Sequence, residues 1–331
     1  MRRLGRYILT TLGVVLLGLV GVWVALQRPD IPWVRLEAKY ANAQSRFMDL
    51  PGGLHVHYRD QGLASGPSVV MVHGFSASLH AWEPWVRLIG NRYRVVTLDL
   101  PGHGLTRAPT DYQASIDGYA DLVDEVARRL NLGPYVVIGN SMGGGVAWDD
   151  ALRHPADVRG LVLVDAAGWP SGERSGNGPV IFKLMRNPLA RGLLRTLDIR
   201  PMAKSGLEDA YLDKRLVTPA LVDRYVDLAR APGHRDILLT IQSRPKAGLT
   251  RDTFTKIATP TLVMHGEQDK LIPVANGRAF AAAIPGAKLV TYPGVGHVPM
   301  EQIPERSAVD LEAFLDSLSA SGPHPPASAG R

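Results

Sequence analysis

Ile138-Gly139-Asn140-Ser141-Met142-Gly143 follows a β-branched apolar run, Tyr135-Val136-Val137-Ile138, and leads through Gly144 and Gly145 into a helical pattern. A short continuous apolar run suits a strand buried on both faces of a sheet. A G-x-S-x-G sequence between such a strand and a helix is a mechanical device. The chain must turn sharply, and the serine sits on the turn in a strained conformation with its hydroxyl exposed. Only tiny side chains fit two residues before and after it, which Gly139 and Gly143 supply. The helix N-terminus behind the serine aims free N–H groups at any oxyanion formed beside it. Ser141 is therefore a candidate nucleophile, and its partners can be sought along the chain.

Working outward, strand-like runs recur at 46–50, 54–59, 68–72, 93–98, 135–138, 160–164, 261–264 and 288–292. Pro51-Gly52-Gly53 separates the first two and predicts a hairpin. Helical patterns fall between the later runs. In 116–130 the apolar residues Ile116, Tyr119, Leu122, Val123, Val126 and Leu130 keep helical spacing; Val309, Leu311, Phe314 and Leu315 do so in 304–318. This alternation predicts an α/β domain around a mostly parallel sheet. It breaks between Gly168 and Phe254, where helical stretches at 180–186, 189–197 and 219–229 are divided by Gly and Pro. The expected organisation is a core of 46–168 and 255–318 interrupted by a helical insertion, 169–254. The insertion follows a core strand on its C-terminal side, where ligands bind in open α/β sheets, so it can form a cap. The Ser/Pro/Gly/Ala-rich tail, 319–331, is expected to be disordered.

Serine hydroxyl is a weak nucleophile and needs a base, itself oriented by a carboxylate. Of 10 histidines, His297 stands out. It lies in Gly294-Val295-Gly296-His297-Val298-Pro299, between the last strand pattern and the last helix. His73 and His103 sit in glycine-flanked loops before the serine and suit loop-shaping hydrogen bonds. Two aspartates follow late strands: Asp269, in Gly266-Glu267-Gln268-Asp269, and Asp165, directly after 160–164. An oxyanion hole needs two backbone donors. The Met142 N–H is one candidate, and the Phe75 N–H is the other, in a loop where Gly74 lets the backbone approach. Met142, Phe75, Trp82 and Trp169 are candidates to line an apolar pocket.

The first residues read differently. Met1-Arg2-Arg3-Leu4-Gly5-Arg6 is basic, and 7–27 carries no charge. About 20 apolar residues span a bilayer core as a helix, and Trp23 suits the interface. Segment 1–28 is expected to be an uncleaved membrane anchor, with 29–45 a polar linker. A cleaved signal is the alternative, but Trp23-Val24-Ala25-Leu26-Gln27 makes a poor cleavage site. Arg2, Arg3 and Arg6 favour an N-terminus inside, which puts the catalytic domain on the extracytoplasmic, periplasmic side. Arg28, Arg35 and Lys39 weaken that bias. The chain has no cysteine, which excludes disulfides and thiol chemistry. The net charge of +6 is scattered, without the basic and aromatic clusters of a nucleic-acid binder. Oligomeric state has no signature in the sequence.

Taken together, His73-Gly74-Phe75, Leu98-Asp99-Leu100-Pro101-Gly102-His103-Gly104, Gly139-Asn140-Ser141-Met142-Gly143-Gly144, Gly266-Glu267-Gln268-Asp269 and Gly296-His297 resemble the α/β-hydrolase superfamily over 46–318. The resemblance implies an eight-stranded, mostly parallel sheet with a helical cap. It implies Ser141 as nucleophile, Asp269 rather than Asp165 as acid, His297 as base, and Phe75 and Met142 as oxyanion donors. Segment 99–104 is similar to a structural loop of that family. Serine at the turn argues against the dehalogenases and epoxide hydrolases of the fold, which use aspartate. Ester hydrolysis without metal or organic cofactor is the leading expectation, and with the anchor the chain looks like membrane-associated bacterial esterases and lipases acting on lipid-like esters. Gly-Asn-Ser-Met-Gly-Gly also resembles the carbon–carbon bond hydrolases of ring-fission products, although those carry tryptophan where this chain has Val298. A membrane-tethered, non-catalytic binding protein is the non-enzymatic alternative.

Overall fold

Eight strands form one sheet in the order β1-β2-β4-β3-β5-β6-β7-β8. They are β1 (Ser45–Leu50), β2 (Leu54–Gly62), β3 (Ser68–Val72), β4 (Arg94–Leu98), β5 (Tyr135–Asn140), β6 (Val158–Val164), β7 (Thr261–Gly266) and β8 (Lys288–Tyr292). The computed structural model describes residues 2–170, 196–241 and 248–320. β2 runs antiparallel to β1 and β4, and every other pairing is parallel. The predicted hairpin joins β1 to β2, with Gly52 and Gly53 at φ 77° and 76° and Leu50 opposite Leu54. Both glycines take a conformation that side chains resist.

Among the described residues the α-helices are α1 (Arg2–Ala25), α2 (Trp33–Tyr40), α3 (Glu83–Ile89), α4 (Ile116–Arg129), α5 (Met142–Arg153), α6 (Arg200–Tyr211), α7 (Pro219–Ala229), α8 (His234–Ile241), α9 (Arg251–Phe254), α10 (Val274–Ala283), α11 (Pro299–Gln302) and α12 (Pro304–Ala320). Every residue of β3, β5 and β7 is buried, because helices cover both faces of the sheet. Successive β3 side chains serve opposite cores. Val70 and Val72 pack with Tyr119, Val123 and Val126 of α4, Val146 of α5 and Phe280 of α10. Val69 and Met71 pack with Trp85 and Ile89 of α3 and Leu311, Phe314 and Leu315 of α12. The spacing predicted for 116–130 thus becomes the buried stripe of α4, which Ser115 caps by accepting the Gly118 N–H.

Between β6 and β7 the described residues hold helices α6 to α9 and no strand. The stretch expected at 219–229 is α7; Thr218 caps it and Pro219 occupies its first turn. The helices expected at 180–186 and over most of 189–197 lie outside the described residues, as does 321–331 of the tail.

Segment 29–45 departs from the expected linker, since Trp33–Tyr40 is helical. Pro32 precedes it, and Trp33, Leu36 and Tyr40 share one face. Leu36 is buried with Leu105, Leu228 and Ala231, while Lys39 Nζ and Tyr40 Oη meet Asp227 Oδ2 of α7 at 2.7 and 2.9 Å. The Pro and charge content resembles a linker; the apolar face does not. At the N-terminus, α1 forms over the uncharged run, and Tyr7 and residues 10–25 have described side chains. Among the described residues no helix is long and apolar enough to cross a membrane.

Candidate active site

β5 and α5 meet at Ser141, whose backbone lies at φ 55°, ψ −118°. That region is sparsely populated for a residue with a side chain and costs about 1–3 kcal/mol. Surrounding backbone holds it there. Ser141 N donates to Val164 O (3.0 Å), and Ser141 O accepts from Ala167 N (2.9 Å) and Gly145 N (3.2 Å). The flanking glycines are sterically required. A Cβ on Gly139 would lie 2.0 Å from Gly143 O, and one on Gly143 would lie 2.1 Å from Val72 O. The 73–75 loop closes over the serine, as a Cβ on Gly74 would come within 3.2 Å of Ser141 Cβ. Half-buried Phe75 and buried Met142 therefore flank Ser141, one on the loop and one at the start of α5.

His297 Nδ1 and Asp269 Oδ2 are 2.6 Å apart, and both residues are buried. With Nδ1 donating to the carboxylate, Nε2 is the nitrogen free to accept a proton. Asn140 ties this pair to the turn: its Nδ2 donates to His297 O (3.0 Å) and Val164 O (3.2 Å). In the sequence Asn140 is one letter of the turn motif; in the fold its amide fastens the residue before Ser141 to the histidine loop. Asp269 Oδ1 accepts the Leu271 and Ile272 N–H groups at 2.7 and 3.0 Å. Burial pushes the Asp269 carboxyl up, but His297 and these amides outweigh it and hold the pKa below its ordinary value.

Asp165, the other candidate acid, stands behind this pair. It is fully buried at φ 46°, and its Oδ1 accepts the Gly266 N–H at 2.9 Å. Burial, then the charge of Asp269, raises its pKa well above the usual carboxylate range, which favours its protonated form. His265 Nε2 lies 3.5 Å from Asp165 Oδ1 and 3.6 Å from Asp269 Oδ2 while bonded to Ile272 O at 3.0 Å. These three residues bring ligand atoms within 4.8 Å of one another, the spacing of a cation site. The donor set suits one poorly, because His265 Nε2 is engaged with the Ile272 carbonyl and Asp269 with His297.

The glycine-loop histidines shape loops, as expected. His73 Nε2 accepts the Leu100 N–H at 3.1 Å, and His103 Nδ1 lies 3.2 Å from Pro101 O. Burial lowers the pKa of both. Asp99 is fully buried and accepts the Leu79 and Leu105 N–H groups. Two of the residues expected to line a pocket differ in burial, Trp82 lying in the core and Trp169 half-buried at its edge. Trp82 is fully buried against Trp85 with ring centres 5.5 Å apart, and Trp169 stacks on Phe254 at 5.3 Å.

A family profile described as alpha/beta hydrolase fold matches residues 67–302. The chain is 30% identical over 270 residues to a pimeloyl-[acyl-carrier protein] methyl ester esterase from Nitrosomonas europaea, covering 78% of this chain and 99% of that protein. It is 26% identical over 271 residues to monoacylglycerol lipase abhd6-B from Xenopus laevis, covering 78% of each. A solved membrane phospholipase A, described as a bacterial virulence factor, superimposes with a TM-score of 0.68 at 25% identity, covering 96% of this chain and 99% of that one.

Proposed function

The chain belongs to the α/β-hydrolase fold family, and from that premise we propose that it is a serine hydrolase of carboxylic esters. Ser141 Oγ attacks the ester carbonyl as His297 Nε2 takes its proton. The carbonyl becomes a tetrahedral oxyanion, which the Met142 and Phe75 N–H groups receive. Asp269 keeps His297 in the tautomer that accepts at Nε2 and stabilises the imidazolium. His297 then returns the proton to the leaving alcohol, and the acyl group stays on Ser141. Water, deprotonated by His297, attacks the acyl-enzyme; the acid leaves and the serine recovers its proton. These steps need no metal or organic cofactor. The observation that carries the reading is the Asp269–His297 pair, fastened by Asn140 beside a serine in a strained turn. The named esterase and lipase relatives support the same class. Full-length protein in detergent should hydrolyse p-nitrophenyl esters, and Ser141→Ala should abolish this. Full activity in that variant refutes the triad. Turnover of a ring-fission dienoate without ester hydrolysis favours the carbon–carbon hydrolase, and no turnover of either supports the binding-protein reading.

The substrate we propose is a lipid-like ester reached from a membrane surface. Leu12, Val14 and Leu17 of α1 are 60%, 64% and 73% exposed, so its apolar residues face outward rather than into a core. Its root is fastened to the insertion. Arg28 N donates to Thr196 O at 2.6 Å, Arg28 pairs with Asp198 at 3.0 Å, and Arg235 Nη1 donates to Arg28 O at 2.8 Å. A bilayer around α1 would thus lie against the insertion. We place the catalytic body on the extracytoplasmic side, following Arg2, Arg3 and Arg6. Full-length protein with an intact N-terminus should sediment with membranes, and protease added to spheroplasts should digest the body. Recovery in the soluble fraction would refute the anchor, and protection from protease would reverse the orientation.

A further inference from the structure

The insertion bonds directly to the histidine loop. The N–H of His297 donates to Ala210 O, near the C-terminus of α6, at 2.7 Å. Gly296 makes room for this: a Cβ there would lie 2.3 Å from the same oxygen. α6 ends in strained backbone. Leu212 lies at φ 57°, ψ −54°, and Asp213 N returns to Tyr211 O at 2.5 Å. That is a γ-turn with a positive central φ, rare and costly for a leucine. Such strain persists only where the surroundings impose it, and here it ends the helix at the residues that touch the histidine loop. Ala210 and Tyr211 are buried in one apolar cluster with Val295, Val298 and Met300, which flank His297 in sequence.

A second contact lies one turn further along that loop. Glu301, on α11, lies 4.0 Å from Arg224 Nη2 of α7. Tyr211 Oη and Glu301 Oε1 are both buried without a hydrogen-bond partner among the described residues, and the Tyr211 hydroxyl and Arg224 both favour the charged form of the carboxyl. Tyr225 of α7 and Glu83 of α3 are the other titratable groups that bear on it. We propose that Glu301 is a positioning residue for catalysis, its largely buried carboxyl set against the Arg224 guanidinium so that the histidine loop stays seated on the Ala210 carbonyl. On this view a break in the insertion disturbs the base directly, without touching the substrate pocket. The inference rests on His297 being the catalytic base. Burial pushes the Glu301 carboxyl up to about 7, against the opposing pull of Tyr211 and Arg224. The carboxylate–guanidinium contact therefore forms as pH rises through about 7 and loosens below it, on the acid limb of an ester hydrolase.

The test is steady-state kinetics against pH for full-length wild type, Glu301→Gln, Tyr211→Phe, Arg224→Met and Arg224→Lys, with thermal melts to show that each is folded. Glu301→Gln and Arg224→Met should lower kcat roughly tenfold and change KM by no more than about twofold, as expected when only the placement of the base is lost. Arg224→Lys should restore most of kcat. The acid limb of the kcat profile should lose the ionisation step of Glu301 in Glu301→Gln and show it displaced in Tyr211→Phe. Tyr211→Phe removes only a hydroxyl and carries the test if Glu301→Gln fails to fold. Folded variants with wild-type kcat and an unchanged acid limb would overturn the inference while Ser141→Ala remains inactive. An active Ser141→Ala would instead remove the triad on which the inference stands.

Discussion

Among the described residues a Ser–His–Asp series with its complete set of hydrogen bonds stands apart from the Ser141, His297 and Asp269 that we assign to catalysis. Ser45 Oγ lies 2.8 Å from His57 Nε2, and His57 Nδ1 lies 2.7 Å from Asp99 Oδ2. The His297–Asp269 distance in the candidate site is nearly the same, 2.6 Å. What differs is the setting of each serine. Ser45 opens edge strand β1, and its Oγ already accepts the Asn42 N–H at 3.1 Å. No helix begins behind it to supply free donors. His57 and Asp99 are sealed, and Asp99 also accepts two backbone N–H groups, so this grouping ties β1, β2 and the loop after β4 together. Ser141 sits on a strained turn at the head of α5, with the Gly74 loop against it. Backbone strain and orphan helix donors, rather than the hydrogen-bonded series alone, separate a nucleophile from a structural serine.

The comparison can be broken by matched substitutions. Ser141→Ala should lower kcat by about 10⁴-fold or more in an ester-hydrolysis assay. Asp269→Asn should come next, at about 10⁴-fold in kcat with the fold intact, because His297 would be held in the wrong tautomer. Asp99→Asn should act on stability, costing about 3–5 kcal/mol in denaturant unfolding at neutral pH while the folded fraction keeps its kcat. Burial raises the Asp99 carboxyl, but His57 and the backbone N–H groups outweigh it and leave its pKa depressed. Its contribution is therefore complete above the unfolded value, near 4, and is lost as pH falls below that. The Asp99→Asn penalty should shrink in acid.

Asp165 carries the opposite sign. Its folded pKa is raised, so its stabilisation is present below the unfolded value and lost as pH rises toward the folded one. Asp165→Asn should keep kcat within about tenfold and should flatten the decline of stability between mildly acidic and neutral pH. A loss of activity as large as that of Asp269→Asn would exchange the roles of the two aspartates. The smallest effect is expected from Ser45→Ala: about 1 kcal/mol of stability, and no change in kcat. A large loss of kcat there would erase the distinction between the two groupings.

Much of this was legible in the sequence because it is local. The β3 and β8 ranges coincide with the apolar runs at 68–72 and 288–292, and glycines at 139 and 143 announced the turn. The proximity of Asp269 and His297 could be proposed only because their order and loop motifs resemble a known family, since 28 residues separate them. Other parts have no local signature. The Ala210 carbonyl that receives the His297 N–H is backbone, identical in every residue, and is set by the end of α6. The Ser45–His57–Asp99 grouping depends on β1 pairing with β2 and β2 with β4. In α2 the apolar face of Trp33, Leu36 and Tyr40 was readable, but its partner on α7 lies nearly two hundred residues away, as the separation of 188 between Lys39 and Asp227 shows.

The most direct test is covalent. Native full-length protein would be treated with a fluorophosphonate, digested and mapped by mass spectrometry. The account predicts one stoichiometric adduct, on Ser141, lost in Asp269→Asn on the time scale that labels wild type and retained in Ser45→Ala. An adduct on Ser45, or active enzyme with Ser141 unlabelled, would contradict it.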